Sequence, residues 1–195
     1  FYERIPVGHV EAGLRTCNRF SPFPEEINRV LTSHVADYHF APTDTARQNL
    51  LREGIPEDAV FVTGNTVIDA LHLVVDRLQN ITAKRLGLPR ELLPLLVDTE
   101  RRLVLVTGHR RENFGAGFQS ICRAIRRLAQ EFTDVAFVYP VHLNPNVRDP
   151  VYGLLAGMAN VHLVEPLPYL EFVALMNRCT LVLSDSGGVQ EEAPS

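Results

Sequence analysis

Short apolar runs alternate with amphipathic stretches along most of the chain, and that alternation sets the expected elements. Residues 5–10 (IPVGHV) read as a strand and residues 11–16 (EAGLRT) as the polar loop that follows it. Pro24 then stands at a helix start with Glu25 and Glu26 in the first turn. Ile27, Val30, Leu31, His34 and Val35 recur at helical spacing and predict one apolar face. Residues 38–41 predict a strand, 43–53 a helix stopped by Gly54, 60–63 a further strand, and Gly64-Asn65-Thr66 the opening of a helix over 67–79. Residues 80–102 mix prolines, charges and leucines without a clean period and read as a connection, with a short helix near 90–96. Beyond them the apolar runs 103–107, 135–139, 161–164 and 180–183 are separated by helical segments near 117–131, 148–158 and 169–178. Strands alternating with helices predict βαβ units and a parallel sheet, hence an α/β fold.

A parallel sheet sends every strand's carboxyl end to one edge, where open α/β sheets bind ligands. The segments expected at that edge are Gly108-His-Arg-Arg-Glu-Asn, Pro140-Val-His-Leu-Asn-Pro, Glu165-Pro-Leu-Pro-Tyr and Ser184-Asp-Ser-Gly-Gly. The last of these breaks a buried strand and resumes as a helix, an arrangement suited to an anion such as phosphate. There Ser186 is expected to cap the helix or meet a phosphate oxygen, and Gly187 and Gly188 to allow positive φ and close backbone approach. Glu191 and Glu192, one turn further, would place carboxylates within reach of a ribose diol; a capped helix start with acids that suit its dipole is the plainer alternative. His109, followed by Arg110 and Arg111, is better placed to meet an anion than to serve as a structural loop histidine, with one arginine expected on Glu112. His142, between Val141 and Leu143, fits packing as well as function, and Phe172 reads on spacing alone as core. Glu11 and Glu25 are candidates to divide acid and base work, against a loop salt bridge with Arg15 for the first and a first-turn helix acid for the second. His9 reads as a packed strand residue, and His34, His39, His72 and His162 lack a metal-like arrangement, so no metal site is expected.

Composition narrows the classes. The 195 residues, 46% hydrophobic and 22% charged, fit a soluble globular protein. No apolar stretch approaches the length that crosses a bilayer and no signal-peptide pattern opens the chain, so no membrane role is expected. A net charge of −4 and a pI near 6.0 argue against nucleic acid as partner. Cys17, Cys122 and Cys179 are odd in number and far apart, and read as reduced thiols of a cytoplasmic protein. Phe1 leads at once into an apolar strand and the final helix stops soon after Gly187, so the sequence reads as a piece of a longer protein.

Taken in order, HVEAGLRT, SPFPEEINR, TGHRREN, PVHLNPNVR and SDSGGVQEEAPS closely resemble the non-hydrolysing UDP-N-acetylglucosamine 2-epimerases. The resemblance implies two Rossmann-like domains of GT-B type facing across a cleft, both incomplete here: residues 1–80 as the later part of the first, 81–102 as a linker and 103–195 as the earlier part of a UDP-binding second. It implies interconversion of UDP-GlcNAc and UDP-ManNAc by elimination of UDP to 2-acetamidoglucal and re-addition, without a redox or metal cofactor, in a cytoplasmic homodimer that supplies cell-surface polysaccharide synthesis. By the same resemblance Glu11 and Glu25 serve acid–base catalysis and His109 stabilises the leaving diphosphate. Phe172 lies against the uracil, reversing the reading from spacing. Ser186, Gly187 and Gly188 hold the phosphates, Glu192 the ribose hydroxyls, and Arg110 and His142 contact a second, activating UDP-GlcNAc. The segment alone would be inactive. A 2-epimerase of a related UDP-diacetamido uronic acid, a GT-B glycosyltransferase and a catalytically silent UDP-sugar binder are the alternatives.

Overall fold

The computed structural model describes residues 2–195, which divide between Asp69 and Ala70 into two compact units. The first holds a three-stranded parallel sheet in the order β1 (Gly8–Val10), β2 (Tyr38–Ala41), β3 (Val60–Val62). Its ladder begins at Gly8, later than the apolar run predicts, because Pro6 has no N–H to offer. Helix α1 (Glu25–Val35) joins β1 to β2 and α2 (Asp44–Arg52) joins β2 to β3. Thr43 caps α2 by accepting from Ala46 N at 3.1 Å, and Gly54, at φ +84°, turns the chain out of it as expected. The core of this unit is small: Ala12, Ala41, Ala46, Leu50 and Val60.

The apolar face predicted for α1 is not the one buried. Leu31 and Val35 are 59% and 45% exposed, whereas Glu26 and Ser33 are enclosed. The cause is a polar network around the enclosed groups, which satisfies Ser33 Oγ and Glu26 Oε1 and leaves Glu26 Oε2 without a hydrogen-bond partner among the described residues. Glu26 Oε1 accepts from Thr16 N and Cys17 N at 2.9 and 3.0 Å. Ser33 Oγ donates to Arg29 O at 3.0 Å and accepts from Arg15 Nη2 at 2.9 Å.

The second unit begins within α3 (Thr66–Leu78). Residues 86–95, including part of the short α4 (Leu93–Val97), bury Leu86, Leu88, Leu92 and Leu95 in its core. Four parallel strands follow in the order β6 (Val161–Val164), β5 (Ala136–Pro140), β4 (Leu103–Thr107), β7 (Leu181–Ser184). The pleat divides them between two layers. Leu103, Leu105, Ala136 and Val138 pack with Val173 and Leu175 of α7 (Tyr169–Arg178). Val104, Val106, Phe137 and Tyr139 pack with α5 (Ala116–Glu131) and α6 (Pro145–Leu155). Helix α6 starts earlier than predicted, because Pro145 occupies its first turn and Asn144 Oδ1 accepts from Asn146 N at 2.9 Å. A final short helix, α8 (Gly187–Glu192), follows β7.

Strand β4 has β5 on one side and β7, the last strand, on the other, so successive connections leave its two sides in opposite directions. The gap outside the carboxyl ends of β4 and β7 is the topological switch point of this sheet, the place where α/β sheets open a crevice.

Candidate active site

The loop 108–113 leaves β4 at that point, beside the turn 185–188 that leaves β7. Asp185 joins them. Its Oδ1 accepts from His109 N, and its Oδ2 accepts from Arg110 N and from Asn113 Nδ2, all at 3.0 Å. Its own N–H donates to Thr107 O at 3.2 Å. From β5 on the other side, the Tyr139 hydroxyl donates to Gly108 O at 2.9 Å. Tyr139 is enclosed, and that burial raises its phenol above the ordinary range.

The side chains of the loop are thereby directed to the rim. The His109 ring stacks on His142, which leaves β5, with centroids 5.5 Å apart and planes 12° from parallel. His142 Nδ1 accepts from Asn144 N at 3.1 Å. Arg110 pairs with Glu112 at 3.3 Å, as expected of one arginine, and its other terminal nitrogen reaches Gly187. A Cβ built on Gly187 would lie 2.9 Å from Arg110 Nη2. The two glycines of the turn therefore meet only part of the expectation. Neither takes a positive φ; both belong to α8, and Gly187 is needed for the guanidinium to approach. Of the two roles expected for Ser186, capping is not the one taken. Its hydroxyl makes no cap bond to α8, and its main-chain N–H is taken by Ser184 Oγ at 2.9 Å.

Farther along the rim, Glu192 is buried and accepts from the Tyr169 hydroxyl at 2.5 Å. Desolvation, followed by that contact with the carboxylate, pushes the Tyr169 phenol up to about 12. Phe172 is half-buried against the α7 side of the core, so it is neither the enclosed residue its spacing predicts nor free of the core.

In the first unit Glu11 directly follows β1 with φ +62°, and Glu25 opens α1, so both stand at the carboxyl edge of that sheet. Both are exposed, and neither carboxylate takes a hydrogen bond or ion pair among the described residues. The alternative pairing of Glu11 with Arg15 does not occur, because Arg15 is committed elsewhere. Its Nε and Nη2 each donate to a carboxylate oxygen of Glu53 at 2.7 Å, and its Nη1 to Leu14 O at 2.8 Å. The three cysteines are free, Cys122 buried and Cys17 exposed.

The family model for UDP-N-acetylglucosamine 2-epimerase matches residues 1–195, the whole chain. The chain belongs to that family. A UDP-N-acetylglucosamine 2-epimerase of Yersinia pestis is 58% identical over 195 residues, covering 100% of this chain and 51% of that protein. The crystal structure of the UDP-GlcNAc 2-epimerase from Neisseria meningitidis bound to UDP-GlcNAc superposes with a TM-score of 0.88 at 49% identity, over 100% of this chain and 52% of that one. The Methanocaldococcus jannaschii UDP-GlcNAc 2-epimerase in complex with UDP-GlcNAc and UDP gives 0.75 at 36% identity, over 98% and 51%. The chain thus spans about half the length of the curated relatives it matches. The two parallel-sheet units are those of the GT-B-like epimerase fold, as the sequence motifs imply. Among the described residues no helix is long and apolar enough to cross a membrane.

Sequence reasoning missed Asp185, Asn113, Tyr139 and Tyr169. The carboxylate of Asp185 lies in plain view within SDSGG, but its partners belong to a loop far earlier in the chain. Only the strand order, with β7 beside β4, brings them together.

Proposed function

We propose that the protein carrying this chain interconverts UDP-GlcNAc and UDP-ManNAc. The observation that carries the reading is the junction at the switch point, where His109, Arg110 and the Gly187 turn converge on a chain whose whole length matches the epimerase family. A neutral N-acetyl sugar loses its C2 proton with difficulty. Coupling that loss to departure of UDP lets the diphosphate take up the developing negative charge.

In the first step a carboxylate removes the C2 proton. The C–H electron pair becomes the C1–C2 double bond of 2-acetamidoglucal, and the C1–O bond breaks with its electrons passing to UDP. In the second step a proton is delivered to the opposite face of C2 while the UDP oxygen re-forms the bond to C1. Glu11 and Glu25, exposed and unpaired among the described residues, are the acid and base. His109 stabilises the leaving diphosphate, which Ser186, Gly187 and Gly188 hold. Phe172 supports the uracil, and Glu192, held by Tyr169, binds the ribose diol. Arg110 and His142 contact a second UDP-GlcNAc that activates the enzyme. The protein works as a cytoplasmic homodimer.

Incubating the protein with UDP-GlcNAc in D₂O tests the reading. UDP-ManNAc formed without any acceptor, with deuterium at C2, is the expected result. Binding without exchange of the C2 proton would overturn it.

A further inference from the structure

We propose that Asp185 is a positioning residue of the diphosphate seat: it orients His109 and Arg110 through their main-chain amides and does not itself touch ligand. The inference rests on reading that rim as the UDP site.

Two consecutive N–H groups, of His109 and Arg110, point at the two oxygens of one carboxylate, and Asn113 Nδ2 closes the far end of the loop on the same group. Fixing two successive peptide planes fixes the directions in which the two side chains leave the backbone. One of those side chains lies on the His142 ring and the other against Gly187. The loop is gripped from the opposite strand by Tyr139 at Gly108 O, so it is tied on both sides at its root.

The charge of Asp185 is what makes the arrangement informative. A carboxylate next to a seat for a diphosphate repels the ligand, so a bystander of this charge would lower affinity. Asp is nonetheless suited here, because an ionised carboxylate accepts on both oxygens and donates from neither. Asparagine has one accepting oxygen, and its NH₂ would face one of the N–H groups that the carboxylate had satisfied. The two roles therefore predict opposite signs for Asp185→Asn. A bystander leaves UDP bound more tightly once its charge is gone. A positioning residue leaves UDP bound more weakly, because the loop is no longer held.

The experiment is calorimetric titration with UDP of the protein and of D185N, with hydrogen exchange of residues 107–114 and the melting temperature measured on both. D185N is expected to bind UDP about tenfold more weakly, the loss of charge-assisted hydrogen bonds outweighing the relief of repulsion. Its 107–114 amides should exchange faster while melting stays within a few degrees. In the double variant D185N/N113D the carboxylate and the amide trade places, so the bond between the two side chains can re-form with donor and acceptor reversed, and part of the affinity should return. Unchanged or tighter UDP binding by D185N overturns the proposal, as does unchanged exchange of the loop. If the unsubstituted protein binds no UDP, the epimerase reading fails, and the exchange measurement alone decides whether Asp185 orders the loop. Should D185N not fold, Asn113→Ala carries the test: about threefold weaker binding supports the proposal and undiminished binding overturns it.

Discussion

The imidazoles of His109 and His142 lie face to face, 5.5 Å between centroids and 12° from parallel, although they leave different strands. With its Nδ1 accepting from the Asn144 amide, His142 is itself fixed, and it serves as the surface against which His109 is set. His109→Ala is expected to slow C2 deuterium incorporation by about 10²–10⁴-fold, the range for a positioned group that acts in the transition state. His142→Ala leaves the His109 ring in place without its support and should slow it by about tenfold or less. Rates of deuterium wash-in measured by NMR on both variants check the ranking; equal losses would contradict it.

Gly187→Ala places a methyl 2.9 Å from Arg110 Nη2. The atom it meets is the end of a flexible side chain, so the fold adjusts cheaply and the melting temperature should move by only a few degrees. The guanidinium has to retreat from the turn, and affinity for the second UDP-GlcNAc, which Arg110 contacts, is expected to fall by roughly ten- to a hundredfold, the value of a lost hydrogen bond to a charged group. Gly117→Ala, in α5 and outside the residues assigned to ligand, where a Cβ also meets nothing within 4 Å, is the internal control for a glycine substitution. Titration with UDP-GlcNAc distinguishes the two.

The order of strands and helices was legible because hydrophobic period reports burial. The strand at 103–107 and the helix at 169–178 have the limits the pattern predicts. Where local chemistry overrides the period, the pattern misleads. In α1 the apolar stripe is not what packs inward, because Glu26 and Ser33 are drawn in by amides and by Arg15 from a loop outside the helix. In α6 the Asn144-Pro145 start signal outweighs the apolar spacing that suggests a later beginning. The site shows the same division. His109, Arg110 and the Gly187 turn could be named because they follow strands, whereas the part of Asp185 depends on strand order, which no local pattern contains.

Acid should destabilise the fold in two stages. Burial lowers the imidazoles of His9, His39 and His162 below 6.5, with His39 and Arg15 adding to the effect on His9. The unfolded chain then binds more protons than the folded one below pH 6.5, so stability is whole above that value and drains as pH falls. Glu53 is held below 4.5, chiefly by its hydrogen bonds from Arg15, so its contribution is present above 4.5 and lost as pH falls through its lowered value. Melting temperatures between pH 7.5 and 3.5 are expected to decline first below about 6.5 and again below about 4.5. His39 is 1% exposed, and its Nδ1 has no hydrogen-bond partner among the described residues. His39→Leu should therefore shrink the first decline and leave the second.

Arg15→Ala removes a guanidinium whose side chain is 4% exposed and which holds Glu53, Ser33 and Leu14 O together. Breaking one side of a buried pair costs about 3–5 kcal/mol; Glu53 is 27% exposed and can be rehydrated, which places the loss near the lower end, at about 3 kcal/mol. Urea unfolding gives the value directly. The double variant R15A/E53A should lose less than the sum of the single variants, since removing both partners leaves no carboxylate stranded.

The proposed roles of Glu11 and Glu25 separate the chemistry from the binding. Both carboxylates stand at the carboxyl edge of the first unit's sheet without a partner among the described residues, while the groups assigned to UDP lie on the second unit. Glu11→Gln and Glu25→Gln keep the size of each side chain and remove its proton-accepting charge. Each variant is expected to bind UDP as the unsubstituted protein does, within about twofold, and to epimerise about 10²–10⁴-fold more slowly, the range for removal of a general acid or base. Deuterium wash-in then separates the two roles. If one carboxylate serves each face of C2, losing either one slows epimerisation in both directions, since each face must either give up or receive a proton. The surviving carboxylate can still remove and return the proton on its own face, so each variant should keep exchanging C2 of one epimer only. UDP-GlcNAc exchange persisting in one variant and UDP-ManNAc exchange in the other assigns a face to each residue. A variant that exchanges both epimers at the unsubstituted rate would exclude that residue from proton transfer at C2.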